Sequence, residues 1–314
     1  MPLIVETFDP RRDERPPWWE AFRHSAGLHV PWDWDLLRLA PPSAIAVAFD
    51  GEDVVAAAVA RRNRGVADVR PLGGTAQPSW WTADPVPSPA VPRSLARGLR
   101  AQLGFPVLGT LWRELDRDRA VALGGVRFKC RINPVALLPI EWSDEEGWLR
   151  TLSSKRRRTL RATARAVERD EGLRLADGPV GDLDADALIR LIRLNEVKYN
   201  GPRHQSRMSD AWLRGLFRRR DVRALSYHEA DGRMLAAFTL IDHPTWPVVH
   251  RWGIVPAEEG ARKDLYFHAY LRTVAWATSA GKQGLLLGKG LPDIKRRLGC
   301  RIEDRYAVLV ADGL

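Results

Sequence analysis

A short run of basic residues is the feature of this sequence that most directly indicates chemistry. It contains six cationic side chains: Lys155, Arg156, Arg157, Arg158, Arg161 and Arg165. On a helix, Arg158, Arg161 and Arg165 share one face, while Leu160 and Ala164 share another. Arginine donates hydrogen bonds in a fixed fork and stays charged, so such a row suits the phosphates of a polyanion. The alternative is a solvated face that pairs with neighbouring acidic residues.

Further candidate groups follow two apolar runs near the end of the chain. His250 lies in a strand-like segment and is suited to accept a proton from an attacking amine, because the pKa of imidazole is near neutrality. Alternation along a strand would put His250 and Trp252 on one face and Arg251 on the other. Lys289 and Asp293 follow the strand-like run 284–287, where loops commonly line sites. A purely structural role for His250 is the alternative.

Two other features are open to more than one interpretation. Lys198 and Tyr199 lie at a helix end and turn rich in hydrogen-bonding groups, which could bind an acceptor or merely turn the chain. Thirteen tryptophans include the pairs Trp18 with Trp19, Trp32 with Trp34 and Trp80 with Trp81. Exposed tryptophan stacks on unpaired bases, whereas packing and loop anchoring are the alternative roles.

The elements that must position these groups repeat in the same order in the two halves of the chain. The first half has apolar runs at 44–49 and 54–60, a helical pattern at 93–103 and a strand-like run at 105–109. The second half has strand-like runs at 223–227, 234–241 and 248–255, a helical pattern at 265–280 and a buried strand at 284–287. The sequence therefore predicts a mixed α/β fold of two similar domains, residues 1–140 and 141–314. The proline-rich stretch 71–92 is predicted to be a long loop.

Composition narrows the classes of protein further. Hydrophobic residues make up 45% and charged residues 28% of the chain, which is typical of globular proteins. The net charge of +10 favours polyanionic partners, although genome bias also explains it. The two cysteines form no zinc or disulfide pattern, and no run reaches the roughly 18 apolar residues that span a bilayer. We expect a cytoplasmic protein without membrane or metal partners.

The second half, residues 143–310, resembles the GNAT superfamily, and more closely its FemXAB-like and CelD-like acyltransferases. The resemblance is carried by Leu152 to Arg161, by His250-Arg-Trp-Gly253, and by Gly288-Lys-Gly290 leading to Lys295-Arg-Arg-Leu-Gly299. It implies tandem GNAT-like domains and amide formation without a metal or redox cofactor. In GNAT enzymes that use acetyl-CoA, a loop of the type Gln/Arg-x-x-Gly-x-Gly/Ala holds the pyrophosphate. Here the matching segment, 256–263, departs from that pattern at both ends and carries two acidic residues before Gly260.

The FemX-like resemblance instead implies aminoacyl-tRNA as the acyl donor. We expect an aminoacyltransferase that joins the amino acid to an amine of a small molecule or peptide, in natural-product biosynthesis, with no cofactor besides this co-substrate. The expected catalytic residues are His250 and Lys289, and the six basic residues would hold tRNA. The expected substrate-binding residues are Arg251, Trp252, Tyr266, Asp293, Lys198 and Tyr199. Two alternatives are an N-acyltransferase that uses acetyl-CoA and a non-catalytic nucleic-acid-binding protein.

Overall fold

A computed structural model describes residues 3–41, 43–70, 80–85, 87–104, 106–123, 126–201, 206 and 208–311. The chain forms two compact units, residues 1–134 with 303–314, and residues 135–302. The end of the chain thus groups with the first unit, whereas the sequence analysis assigned it to the second domain. Within the described residues, every helix is too short or too polar to cross a membrane.

The first unit consists of strands and four α-helices among its described residues. In chain order these are β1 (Ile4–Phe8), α1 (Trp19–Ser25), α2 (Trp34–Leu39), β2 (Ser43–Asp50), β3 (Asp53–Asn63), β4 (Val66–Val69), β5 (Trp80–Thr82), α3 (Ala90–Leu103), β6 (Gly109–Leu115), α4 (Arg117–Ala122) and the start of β7 (Val126–Pro139).

The second unit begins within β7 and ends within the last strand of the chain. Its further elements are α5 (Glu145–Thr151), α6 (Ser154–Glu168), β8 (Leu173–Pro179), α7 (Ala185–Asn200), α8 (Asp210–Phe217), β9 (Val222–Glu229), β10 (Met234–Ile241), β11 (Val248–Ile254), α9 (Leu265–Ser279), β12 (Gly284–Leu286), α10 (Pro292–Arg296) and β13 (Arg301–Ala311).

The order of elements predicted from the sequence is confirmed in both units. In the first, hydrogen-bonded neighbours run β1, β2, β3, β4, β6, β13, and β5 pairs with β3. In the second they run β7, β12, β11, β10, β9, β8. Each unit therefore has an antiparallel meander, a helix, a strand parallel to the end of the meander and a short helix. The closing strands are exchanged between the halves of the chain, since β13 pairs with β6 in the first unit and β7 pairs with β12 in the second.

Alternation along the strands builds an apolar layer on each face of the first sheet. In β2, Ile45 and Val47 pack with buried tryptophans of α1 and α2. Ala46 and Ala48 of the same strand pack on the other face with Leu95 and Leu99 of α3. The tryptophans at the sequence pairs are mostly core residues, since Trp19, Trp32, Trp34 and Trp80 are buried. The packing interpretation is therefore confirmed for these four.

Two local predictions in the first half were wrong. Trp80–Thr82, placed in the long loop, forms β5 and pairs with β3, because the buried Trp80 ring anchors it against Trp112. Residues 71–79 and 86 of that predicted loop lie outside the described residues, and α3 already begins at Ala90. The strand predicted at 105–109 begins only at Gly109, since Pro106 has no N–H to donate to a strand.

In the second unit, α7 lies directly against the sheet at Gly253 of β11. A Cβ atom at this position would come within 2.7 Å of the backbone carbonyl of Leu191 in α7. Helices α5, α6 and α9 contribute to another core cluster, which includes Trp148, Leu160 and Leu271. Strand β11 carries His250, Arg251 and Trp252, and helix α9 carries Tyr266.

Candidate functional site

The two parallel strands β11 and β12 separate almost as soon as they meet. They pair at one position, Val248 with Leu286. After β12 the chain forms hydrogen bonds with β7 instead. The N–H of Leu287 donates to the carbonyl oxygen of Ala136, and the N–H of Ala136 donates to that of Gly288. The rest of β11 continues to Ile254 away from this partner. The second unit therefore has an opening between the carboxyl ends of two parallel strands, whereas the parallel strands of the first unit, β4 and β6, pair at four positions.

A β-bulge at His250 lies beside this opening. Thr239 of β10 pairs with Arg251 and Leu240 pairs with Val249, so His250 is an extra residue in β11. One extra residue shifts the alternation of side chains beyond it. The His250 ring lies 6.3 Å from that of Trp212 in α8, and Arg251 Nη2 lies 3.6 Å from Met208 Sδ.

The predicted alternation was therefore wrong, because the bulge brings His250 and Arg251 to the same side of the sheet. Trp252 lies on the opposite side, with its ring 5.7 Å from that of Tyr266 in α9 and 6.0 Å from that of Phe238. Of the expected substrate-binding residues, Trp252 and Tyr266 are brought together. Arg251 is not part of that group.

His250 is held as a neutral imidazole. Its side chain is only 3% exposed, and burial, with a smaller contribution from the charge of Arg251, keeps its pKa well below the usual range. Nδ1 lies 3.4 Å from Thr239 Oγ1, while Nε2 has no hydrogen-bond partner among the described residues. The lowered pKa makes the ring a weak proton acceptor, and the role of His250 as a proton acceptor stays a prediction.

The remaining sequence-predicted residues lie at element ends. Lys289 is half-buried just after β12, at the open end of the strand pair. Asp293 is exposed and pairs with Arg296 at 2.6 Å. Lys198 and Tyr199 are exposed at the end of α7, with Lys198 Nζ 5.8 Å from the Tyr199 ring centre. Burial, with smaller contributions from Cys300 and Tyr199, raises the pKa of Tyr266 to about 12.

The sequence analysis assigned no role to one buried cation, Lys295 in α10. Its Nζ donates to the carbonyl oxygen of Leu287 at the end of β12, and burial lowers its pKa to about 8. Nearby, Tyr270 Oη lies 3.2 Å from Cys300 Sγ. Lys295 is the one buried residue of α10, and the run Lys295-Arg-Arg does not distinguish it from its exposed neighbours Arg296 and Arg297.

The basic helix α6 has the two faces predicted from its sequence. Leu160 is buried and Ala164 packs beside it, while Arg158, Arg161 and Arg165 are exposed. Ser153 caps the helix by accepting from the Arg156 N–H. Among the described residues, Arg161 alone of the six cations has a carboxylate partner, Glu146.

Within the described part of the chain, the other cations of α6 have neutral contacts or none. Arg157 donates to the carbonyl oxygens of Arg150 and Leu152 in and after α5. Arg156 lies 5.7 Å above the ring of Phe267 in α9. Because Phe267 is next to Tyr266, the first turn of α6 lies on the same side of the sheet as Trp252 and Tyr266. The helix therefore presents uncompensated positive charge near the opening.

The segment that would hold a pyrophosphate in an acetyl-CoA-dependent GNAT enzyme is closed on itself. It forms a 3₁₀ turn over Ala257–Glu259. Glu259 and Ala261 donate their N–H groups to the carbonyl oxygen of Pro256, and Gly260 donates to Ala257. The Glu259 carboxylate accepts from Arg190 at 2.6 Å. Three amides that could bind phosphate are thus occupied, beside a carboxylate.

Comparison with known proteins gives the fold. No family model and no curated protein matches the sequence. The C-terminal domain of a putative lysylphosphatidylglycerol synthetase from Agrobacterium fabrum is 14% identical with a TM-score of 0.63, over 93% of this chain and 91% of that one. FemX is 10% identical with a TM-score of 0.61, over 96% of each chain. A tandem GNAT protein from the clavulanic acid biosynthesis pathway is 14% identical with a TM-score of 0.57, over 98% of each chain. The tandem GNAT-like fold implied by the sequence resemblance is confirmed.

Proposed function

We propose that this protein is an acyltransferase that moves an aminoacyl group from aminoacyl-tRNA to an amine of a small molecule or peptide. The observation that carries the proposal is the charge of α6, whose six cations have one carboxylate partner among the described residues. Exposed guanidinium groups without partners favour phosphate oxygens, and each contact releases a counterion from RNA. The helix also approaches the side of the sheet where Trp252 and Tyr266 lie.

The reaction requires little beyond positioning and charge stabilisation. The acceptor amine attacks the ester carbonyl carbon, a tetrahedral intermediate forms, and the bond to the ribose oxygen breaks. The nitrogen loses a proton and the ribose oxygen gains one, so atoms and charge balance. Because the ester is already activated, the protein mainly has to orient a neutral amine and stabilise the oxyanion. No covalent intermediate on the protein is required.

In this proposal His250 and Lys289 have different roles. His250 is buried on the side of the sheet opposite Trp252 and Tyr266 and is a weak base, so it orients the end of β11. Lys289, at the open end of the strand pair, stabilises the oxyanion or a phosphate of the donor. Trp252 and Tyr266 form an aromatic wall for the acceptor.

The closed segment 256–261 supports aminoacyl-tRNA over acetyl-CoA as the donor. Its amides bond within the segment, so a pyrophosphate would have to break those bonds and approach Glu259. The carbonyl oxygens of Pro256 and Ala257 would lose their donors, and one such hydrogen bond contributes about 1 kcal/mol. Binding of a phosphate to the exposed cations of α6 without carboxylate partners requires no such hydrogen bond to be broken.

The test is a reaction containing the protein, one amino acid, its synthetase, ATP, tRNA and a mixture of amines, followed by mass spectrometry. We expect new amides whose formation stops when RNase is added. A parallel reaction in which acetyl-CoA replaces the amino acid, synthetase and tRNA should give no product. Continued turnover after RNase, or product from acetyl-CoA alone, would contradict the proposed donor. Boiled protein controls for uncatalysed aminolysis of the ester.

A further inference from the structure

A groove in the second unit is lined by basic side chains from two separate elements. Lys155 and Arg156 come from the first turn of α6, and Arg296 and Arg297 come from the end of α10 and the residue after it. The other lining residues are small, polar or apolar: Thr151, Leu152, Ser153, Thr159 and Gly299. The lining therefore holds four positive charges, three hydroxyl groups and no carboxylate.

The charges of this groove are only weakly compensated. Lys155 and Arg297 are exposed and have no carboxylate partner among the described residues. Arg296 pairs with the exposed Asp293, and an exposed pair of this kind contributes little. Arg156 is oriented by the Phe267 ring beneath it. Like charges that converge on a concave surface repel one another, and a bound phosphate relieves that repulsion.

The groove also lies closer to the opening than the rest of the basic helix does. Phe267, under Arg156, is next to Tyr266. Lys295, next to Arg296, donates to Leu287 at the end of β12. By contrast, Arg165 is about 15 Å farther along α6 than Lys155, at 1.5 Å per residue. A polyanion that follows the helix would reach the groove at its reactive end.

We infer that this groove binds the phosphates of the last nucleotides of the donor RNA, next to the esterified amino acid. Arg158, Arg161 and Arg165 then contact nucleotides farther from the ester. The inference rests on the proposed function for its choice of donor. It adds Arg296 and Arg297 to the RNA-binding residues. It also divides the cations of α6 between those that contact the last nucleotides and those that contact nucleotides farther from the ester.

The experiment measures binding without turnover, by fluorescence anisotropy at several salt concentrations. Its probes are full-length tRNA and a short single-stranded RNA that ends in the same 3′ nucleotides. The groove variant is Lys155→Gln with Arg297→Gln. The matched control is Arg165→Gln with Arg169→Gln, which removes the same charge from exposed positions on α6 and at its C-terminal cap. Thermal unfolding shows whether both variants fold.

We expect the groove variant to bind both RNAs about tenfold more weakly at moderate salt. For the short RNA, the slope of log affinity against log salt should fall in magnitude by about 1.4, which corresponds to two lost phosphate contacts on a single strand. The control variant should bind the short RNA as the wild type does and lose affinity only for tRNA. Unchanged binding of the short RNA by the groove variant, or equal losses in both variants, would overturn the inference.

Coenzyme A also carries phosphates, so it serves as a competitor. Displacement of the short RNA by micromolar coenzyme A would overturn the assignment of the groove to RNA. Groove-dependent RNA binding without any amide product would leave this inference standing and refute the proposed function. If product formation is sensitive to RNase but does not depend on Lys155 and Arg297, the proposed function stands and this inference is refuted.

Discussion

Replacing Lys295 by methionine should flatten the dependence of folding stability on pH between pH 8 and 10.5. Burial lowers the pKa of Lys295 from its ordinary 10.5 to about 8. In that window the unfolded chain binds a proton that the folded chain lacks, so the free energy of unfolding rises with pH. The gain is absent below pH 8, where the folded protein holds a buried ammonium, and amounts to about 3 kcal/mol by pH 10.5.

The variant also loses the hydrogen bond from Lys295 Nζ to Leu287. Leaving that carbonyl oxygen without a donor costs about 1 to 2 kcal/mol, which partly offsets the removal of the buried charge. The two effects oppose each other at pH 7, so the change in stability at one pH is a poor test. The slope against pH is the quantity that isolates the titration of the lysine.

The assay is urea unfolding of wild type and variant at pH 7, 8, 9 and 10. Burial raises the pKa of Cys300 to about 11, and that of Tyr266 rises to about 12, so both stay protonated in the folded state. Their ionisation in the unfolded state is common to wild type and variant. Lys295→Gln, which keeps a donor but cannot titrate, should show the same flattened dependence of stability on pH as Lys295→Met. Parallel curves for wild type and Lys295→Met would refute the reasoning.

Two further predictions concern packing and a buried ion pair. Gly253→Ala should destabilise the protein by about 1 to 3 kcal/mol, because its Cβ would press on Leu191 of α7; Gly178→Ala, whose Cβ meets nothing within 4 Å, should change stability by less than about 0.5 kcal/mol in the same denaturation assay. Asp68→Asn should lower stability by about 3 kcal/mol, because the fully buried Asp68 accepts from Arg113 at 2.6 Å; the exposed Asp50→Asn serves as its control, and equal unfolding midpoints for the two would contradict the argument.

The regular elements of the second unit were accessible from sequence because their patterns are local. Strand β10 coincides with a run that is apolar except for Thr239, and α9 follows a helical period from Leu265. The faces of α6 likewise follow from the spacing of Leu160 and the arginines. Such signals need no knowledge of a partner, since each residue's burial repeats with the period of its own element.

The geometry at the candidate site depends on partners that are distant in sequence. The bulge at His250 exists only in the pairing of β11 with β10, and nothing in the order of residues 248–254 reveals it. The neutralisation of Arg161 depends on Glu146, and that of Glu259 depends on Arg190, 69 residues away. Sequence spacing therefore identified the basic helix, but it did not show that Arg161, unlike the other cations, is paired with a carboxylate.

The return of the chain to the first unit within β13 has a consequence for synthesis on the ribosome. β13 pairs with β6 from Tyr306 with Leu115 to Ala311 with Gly109. The second unit is continuous in sequence and can fold as soon as residue 302 has emerged. The first unit must wait, with one edge of β6 bare, until the closing strand is translated, and exposed strand edges invite pairing between nascent chains. The half of the molecule that is made first is thus the half that is finished last.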